Sequence, residues 1–157
     1  GDEAVELVRR HQPDVAILDI KMPGLDGLSA AREIAGERLA AVLILTAFSQ
    51  RDLIERARDA GALAYLVKPF QKADLFPAIE VAVGRFAELK ALHDQATSLE
   101  EQLETRKVVD RAKGQLMDRN GMTEAAAFGF IQKTAMADRQ TMKVVAQRVI
   151  DGELAPV

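Results

Sequence analysis

Three apolar runs in this chain each end on a residue with polar chemistry. Val15-Ala-Ile-Leu-Asp-Ile20 delivers the carboxylate of Asp19, Ala41-Val-Leu-Ile-Leu-Thr46 a hydroxyl, and Ala64-Tyr-Leu-Val-Lys68 an ammonium. Runs that are apolar on both faces are expected of parallel strands covered by helices on each side. Open sheets of that kind place their chemistry at the carboxyl ends of the strands, so a carboxylate, a hydroxyl and a cation would converge there. Pro69 follows Lys68 directly, and an X-Pro bond adopts the cis form at modest cost, which would aim the lysine into the site. Pro23-Gly24 and Asp26-Gly27 supply the loop after Asp19, since proline sets one φ and glycine tolerates positive φ. Each residue alone has a plainer role: Asp19 as a turn or cap residue, Thr46 as a helix cap, Lys68 as a solvated charge, Tyr65 as half-buried packing.

Taken together and in order, Asp19 with Lys21-Met-Pro-Gly24 and Asp26-Gly27, then Leu45-Thr-Ala47, then Tyr65-Leu-Val-Lys-Pro-Phe70 resemble the receiver domain of two-component response regulators. The resemblance implies a flavodoxin-like parallel sheet in which Asp19 is the phosphoacceptor and Thr46 the switch hydroxyl. It makes Lys68 the charge partner and Tyr65 the aromatic whose position reports the state. Mg²⁺ is the implied cofactor, held by Asp19 and the backbone carbonyl of Lys21. The residue types suit this, because a carboxylate oxygen attacks phosphorus when a divalent ion and a lysine neutralise the incoming charge. The added phosphoryl brings a charge of about −1.5 to −2, enough to draw a hydroxyl and an ammonium inward. Such a site is a switch rather than an enzyme active centre.

The family pattern begins with a strand carrying a pair of acidic metal-binding residues, then a helix and a second strand. This chain opens at Gly1-Asp-Glu-Ala-Val-Glu-Leu-Val-Arg-Arg10, which reads as the helix leading into the Asp19 strand. The expectation is an α/β receiver with its first strand, helix and second strand missing, and an incomplete metal site. Asp2 and Glu3 do not replace the acidic pair; in the first turn of a helix they answer its dipole.

Composition narrows the field. Hydrophobic residues make up 48% of the 157 and aromatic ones only 4%, so the core must be built from Ala, Leu, Val and Ile. There is no cysteine, hence no disulfide framework and no thiolate metal site. No apolar run approaches the ~20 residues that cross a bilayer, and a cytoplasmic location without membrane contact is expected. His11 and His93 read as surface residues with no ligand partner at metal spacing. The net charge of −3 is unevenly spread: residues 86–105 carry one Lys or Arg against five Asp or Glu, and residues 106–157 carry nine against six. That division suggests an acidic spacer followed by an output module with a polyanionic partner.

The spacer has a seam. Leu89, Leu92, Ala96, Leu99 and Leu103 recur at alternating three- and four-residue steps, about two heptads, with Glu100, Glu101 and Glu104 outside. A homodimer contact is one reading; a long amphipathic helix packed on its own protein is the other. The last receiver helix, starting near Ala73, is expected to run into this coil, with Pro77 early enough to be tolerated. Beyond it, Val108, Val109, Ala112 and Leu116 form one apolar face, ended by Asn120-Gly121. Thr123 can cap a second helix whose face holds Ala127, Phe128, Ile131 and Ala135, and Thr141 a third with Met142, Val145, Ala146 and Val149 inward. The domains expected are therefore a receiver at 1–85, a helical coiled-coil linker at 86–105 and a small three-helix all-α module at 106–157.

Arg106-Lys-Val-Val-Asp-Arg-Ala-Lys-Gly-Gln-Leu-Met117, Gly121-Met-Thr-Glu124 with Ala127-Phe128, Ala135-Met136 and Val144-Val-Ala146 resemble the ANTAR module, an RNA-binding output domain of transcription antitermination regulators. The resemblance implies binding to paired hairpins in nascent RNA. Such loops are read by cations on phosphates and by groups reaching unstacked bases. Candidate RNA contacts are Arg106, Lys113, Arg119, Lys133, Arg139 and Lys143, with Gly114 allowing close backbone approach either to RNA or to another helix. Phe128 and Phe130 are candidate stacking platforms, though at helical spacing core packing is the better explanation, clearly so for Phe128.

These readings combine into a cytoplasmic response regulator: a sensor histidine kinase phosphorylates Asp19, and residues 106–150 bind RNA hairpins as an antiterminator. The alternatives are a receiver-controlled dimerisation or protein-interaction switch without nucleic acid, and a DNA-binding regulator. The latter is poorly served by Met142-Lys-Val-Val-Ala-Gln-Arg148, with only two basic residues to offer a major groove.

Overall fold

A computed structural model describes residues 1–47 and 51–156, which form two compact units, Gly1–His93 and Asp94–Val157. In the first, the order is α1 (Asp2–His11), β1 (Val15–Asp19), α2 (Gly27–Gly36), β2 (Ala41–Thr46), α3 (Arg51–Asp59) and β3 (Ala64–Val67), followed by the start of α4 (Lys72–Asn120). The strands form one parallel sheet in the order β1-β2-β3. Helical crossovers explain the parallel pairing, since such strands need a connection long enough to return to the same end.

Register positions the polar residues. Asp19 is level with Leu45, and Thr46 with Val67. Each strand therefore ends about one residue further along than its neighbour, which brings Asp19, Thr46 and Lys68 to a common edge. The core is Val5 and Val8 of α1, Leu28, Ala30, Ala31 and Ile34 of α2, Ala57 of α3, and the side of the sheet carrying Ala16, Leu18, Val42 and Ile44. The expectation that every strand is covered on both faces holds for β2, where Ala41–Ile44 and Thr46 are buried, but not for β1. There Ala16 and Leu18 are buried while Ile17 is 41% exposed. Among the described residues β2 has a strand on each side and β1 has one.

Helix ends follow local chemistry. Asp26 caps α2, accepting from the amides of Leu28 at 2.9 Å and Ser29 at 3.0 Å. Asp74 in the first turn of α4 reaches back to accept from the Gln71 amide at 3.0 Å, as the acidic residue of a capping box does. Pro77 is the sixth residue of α4, past the first turn in which a missing N–H is harmless, and the helix nevertheless runs on to Asn120. Along it Leu89, Leu92, Leu99 and Leu103 are each more than half exposed.

The second unit packs the far part of α4 against α5 (Glu124–Asp138) and α6 (Met142–Ile150). Its core is Val109, Ala112 and Leu116, Ala127, Ile131 and Ala135, and Val145, Ala146 and Val149. Thr123 and Thr141 cap α5 and α6, accepting from the amides of Ala126 at 3.2 Å and Val144 at 3.3 Å. Gly121, at φ 64°, ends α4 in the left-handed region that glycine enters without cost. One residue departs from the expected faces: Phe128 is 41% exposed rather than in the core. Among the described residues no helix is long and apolar enough to cross a membrane.

Candidate functional site

Asp19 is the last residue of β1. Its Oδ1 accepts from the Lys21 amide at 3.1 Å, and its Oδ2 accepts from the Lys68 ammonium. Thr46, the last residue of β2, is 4% exposed, and its carbonyl accepts from the Lys68 amide at 2.8 Å. Lys68 follows β3 directly, and the Lys68–Pro69 peptide is cis. A cleft of about 360 Å³ is lined by Asp19, Lys21, Thr46, Ala47, Leu53 and Lys68. The Lys68 hydrogen bond holds the Asp19 carboxyl below the usual carboxylate range, with the Lys21 amide adding to the effect and partial burial opposing it. At neutral pH Asp19 is thus an anion at the mouth of a cleft, already paired with a cation.

Of the four residues expected to act together, three meet. Tyr65 does not: it is 44% exposed and borders a separate groove of about 210 Å³ with Ile54, Arg58 and Ala62. Gly27 was expected to serve the loop through positive φ. Its role is different, because a Cβ there would lie 2.0 Å from the Asp19 carbonyl oxygen. Only glycine lets the start of α2 close over the strand end, with the Gly27 amide donating to the Ile20 carbonyl at 3.1 Å.

The candidate RNA-contacting cations divide into two kinds. Lys113 is engaged within the second unit, donating to Asp110 at 2.8 Å and Glu124 at 3.0 Å with its side chain only 15% exposed. These partners raise its pKa, Asp110 most, and the same contact lowers that of Asp110. Arg106 is open, within 4.0 Å of Asp110. Arg119, Lys133, Arg139 and Lys143 are exposed. A Cβ on Gly114 would meet nothing within 4 Å, so no neighbouring helix requires glycine there.

A family model of the response regulator receiver domain matches residues 1–80, and one of the ANTAR domain matches residues 97–150. Transcriptional regulatory protein PdtaR of Mycobacterium tuberculosis is 60% identical over 151 residues, which are 96% of this chain and 74% of that protein. The chain belongs to the response regulators that join a receiver domain to an ANTAR domain. Chemotaxis protein CheY of Halobacterium salinarum is 39% identical over 80 residues, covering 50% of this chain and 67% of that protein. Among solved structures, the signal receiver domain of the response regulator NarL from Mycobacterium tuberculosis matches with TM-score 0.50 and 30% identity, over 53% of this chain and 68% of that chain. The receiver is regulatory, not enzymatic, and ANTAR domains as a class are RNA-binding antiterminators.

Receiver domains generally bind Mg²⁺. In this receiver the expected donors are the Asp19 carboxylate and the Lys21 carbonyl, and among the described residues no three His, Asp or Glu side chains gather as a metal group. Mg²⁺ demands octahedral oxygen coordination, usually several waters with one or two carboxylates. Two donors, one already paired with Lys68, do not make a site by themselves.

In the ANTAR domain, sequence spacing misplaced Phe128. It borders a groove of about 590 Å³ together with Glu101, Thr105, Arg106, Val109 and Met142. Phe130, two residues on, packs against the core. The signal that separates them is azimuth: residues 127, 131 and 135 face inward, and 128 lies about 100° around the helix from 127.

Proposed function

We propose that this response regulator is controlled by phosphorylation of Asp19 and acts as an RNA-binding transcription antiterminator. The observation that carries the reading is the meeting of the Asp19 carboxylate, the Thr46 side chain and the Lys68 ammonium at one open cleft. A carboxylate oxygen of Asp19 attacks the phosphorus of a phosphohistidine on a sensor kinase. The O–P bond forms as the P–N bond breaks, and the imidazole leaves with the bonding pair and takes up a proton. Lys68 then exchanges its carboxylate for phosphoryl oxygens, and the Thr46 hydroxyl donates to one of them, following the added charge of about −1.5 to −2.

The domain boundaries that go with this function are a receiver at 1–85, a linker at 86–105 and the RNA-binding module at 106–157, in a cytoplasmic protein. Arg106, Arg119, Lys133, Arg139 and Lys143 serve as phosphate contacts on the module surface. Tyr65, exposed in the unphosphorylated chain, reports the switched state by moving inward. The exposed leucine seam supports a second element, a homodimer through the linker helix. It is also the observation that favours the rival reading, a dimerisation switch without nucleic acid.

Labelling from a phosphorylated kinase tests the first half: wild type takes up label, Asp19→Asn none, and equal labelling would refute the assignment. Titration of stem-loop RNA at several salt concentrations tests the second. Contacts to phosphate release counterions, so affinity falls steeply with salt. Indifference to every RNA tested would leave the dimerisation switch.

A further inference from the structure

We infer that the groove beside Phe128 receives a single unpaired RNA base, stacked on the phenyl ring; the inference rests on the RNA-binding reading of the module. The chain has few aromatic residues, 4% of its length. On α5 it buries Phe130 against the core yet leaves Phe128 41% exposed. The Phe128 ring is thus presented at the groove rather than used in the core. The groove it borders has an apolar floor, the buried Val109 and the half-buried Met142. Its walls carry hydrogen-bonding groups, Gln102, Thr105, Glu101 and Asp110 among them.

Charge decides which part of a nucleotide fits. Arg106 and Lys113 stand in the groove with Glu101 and Asp110, and Lys113 is already neutralised by Asp110 and Glu124. Two carboxylates at the wall disfavour a phosphate but accept N–H groups from a base edge, as Asp and Glu do when they read amino groups of bases. Arg106, largely exposed beside the groove, is left for the adjoining phosphate. Base-on-aromatic stacking with edge hydrogen bonds is how unpaired loop nucleotides are commonly held. Lys113 acts through its two carboxylate partners, tying α4 to α5 so that the ring and the carboxylate wall keep their spacing.

The test uses the full chain as wild type, Phe128→Leu, Phe128→Tyr and Phe128→Trp, against stem-loop RNAs of randomised loop sequence. Loop nucleotides in the binders are replaced in turn by a fluorescent purine analogue. Wild type is expected to quench one loop position, and Phe128→Leu to abolish that quench and weaken binding roughly tenfold or more with the salt slope unchanged. Phe128→Tyr and Phe128→Trp restore both, and the introduced tryptophan, the only one in the chain, is itself quenched by RNA. Should the leucine variant fail to fold, the tryptophan quench carries the test. If wild type binds and neither quench nor affinity depends on the ring, the groove assignment falls while RNA binding stands. If wild type binds no stem-loop, both fall. A leucine variant that changes self-association in sedimentation at unaltered RNA affinity makes the surface a protein contact and also overturns the inference.

Discussion

Asp19 and Lys113 are both ionised residues held by opposite charges, one in each compact unit, and the two pairings do different work. The Asp19–Lys68 pair stands at the ends of two strands beside an open cleft, each side chain more than a third exposed. Lys113 bridges two helices with its side chain 15% exposed. A pair built at strand ends is set by sheet register and can exchange one partner for an incoming anion. One built between helix faces is part of the packing, and losing it loosens the module rather than switching it. Residue type does not distinguish a responsive charge from a fixed one; the element that carries it and the space around it do.

The sharpest way to break this comparison is to neutralise a carboxylate in each pair. Asp19→Asn is expected to abolish phosphoryl uptake, and Asp110→Asn to leave it unchanged, measured by label transfer from a kinase. A core deletion in the second unit comes next. Ile131→Ala, at a fully buried position, is expected to cost about 2–5 kcal/mol in denaturant titration and to remove RNA binding while Asp19 still accepts label. Cap removal is smaller: Thr141→Ala is expected to cost about 1 kcal/mol, read as a lower unfolding midpoint at unchanged denaturant slope.

The smallest effect separates the pairs by pH. Asp19 has a depressed pKa, so its pairing stabilises the fold above the ordinary carboxylate range and that contribution disappears as pH falls through the depressed value. Lys68→Met is expected to flatten this acid limb. Lys113 has a raised pKa, so its share is present below the ordinary lysine range and disappears as pH rises through the raised value. Lys113→Met is therefore expected to remove an alkaline limb together with the acid limb contributed by Asp110. Urea titrations across pH measure both, and identical profiles for the two variants would erase the distinction.

Much of the receiver was legible as text, because a buried parallel strand is a short apolar run and its last residue is the one the sheet presents. The apolar faces and threonine caps of the ANTAR domain were equally readable, since periodicity and capping act over a few residues. Four particulars were not. Ile17 belongs to an apolar run, but whether a helix or strand covers it is a property of the sheet. Gly27 follows an aspartate in a turn-like pair, while its need for glycine comes from a strand backbone 2.0 Å from where a Cβ would stand. Phe128 sits one residue from the inward stripe, and a single step around a helix separates core from surface. Lys113 looked like any surface cation until Glu124, eleven residues on, was brought against it.

From the sequence alone came the family, the strand-end carboxylate, hydroxyl and lysine, and the helices with their caps, all carried by short-range spacing and residue type. The tertiary structure decided which of these meet. Sheet register joined Asp19, Thr46 and Lys68 and left Tyr65 outside, and helix azimuth locked Lys113 inward and turned Phe128 out. Contacts between residues far apart in the chain depend on how elements are laid beside one another, and no local pattern encodes that placement.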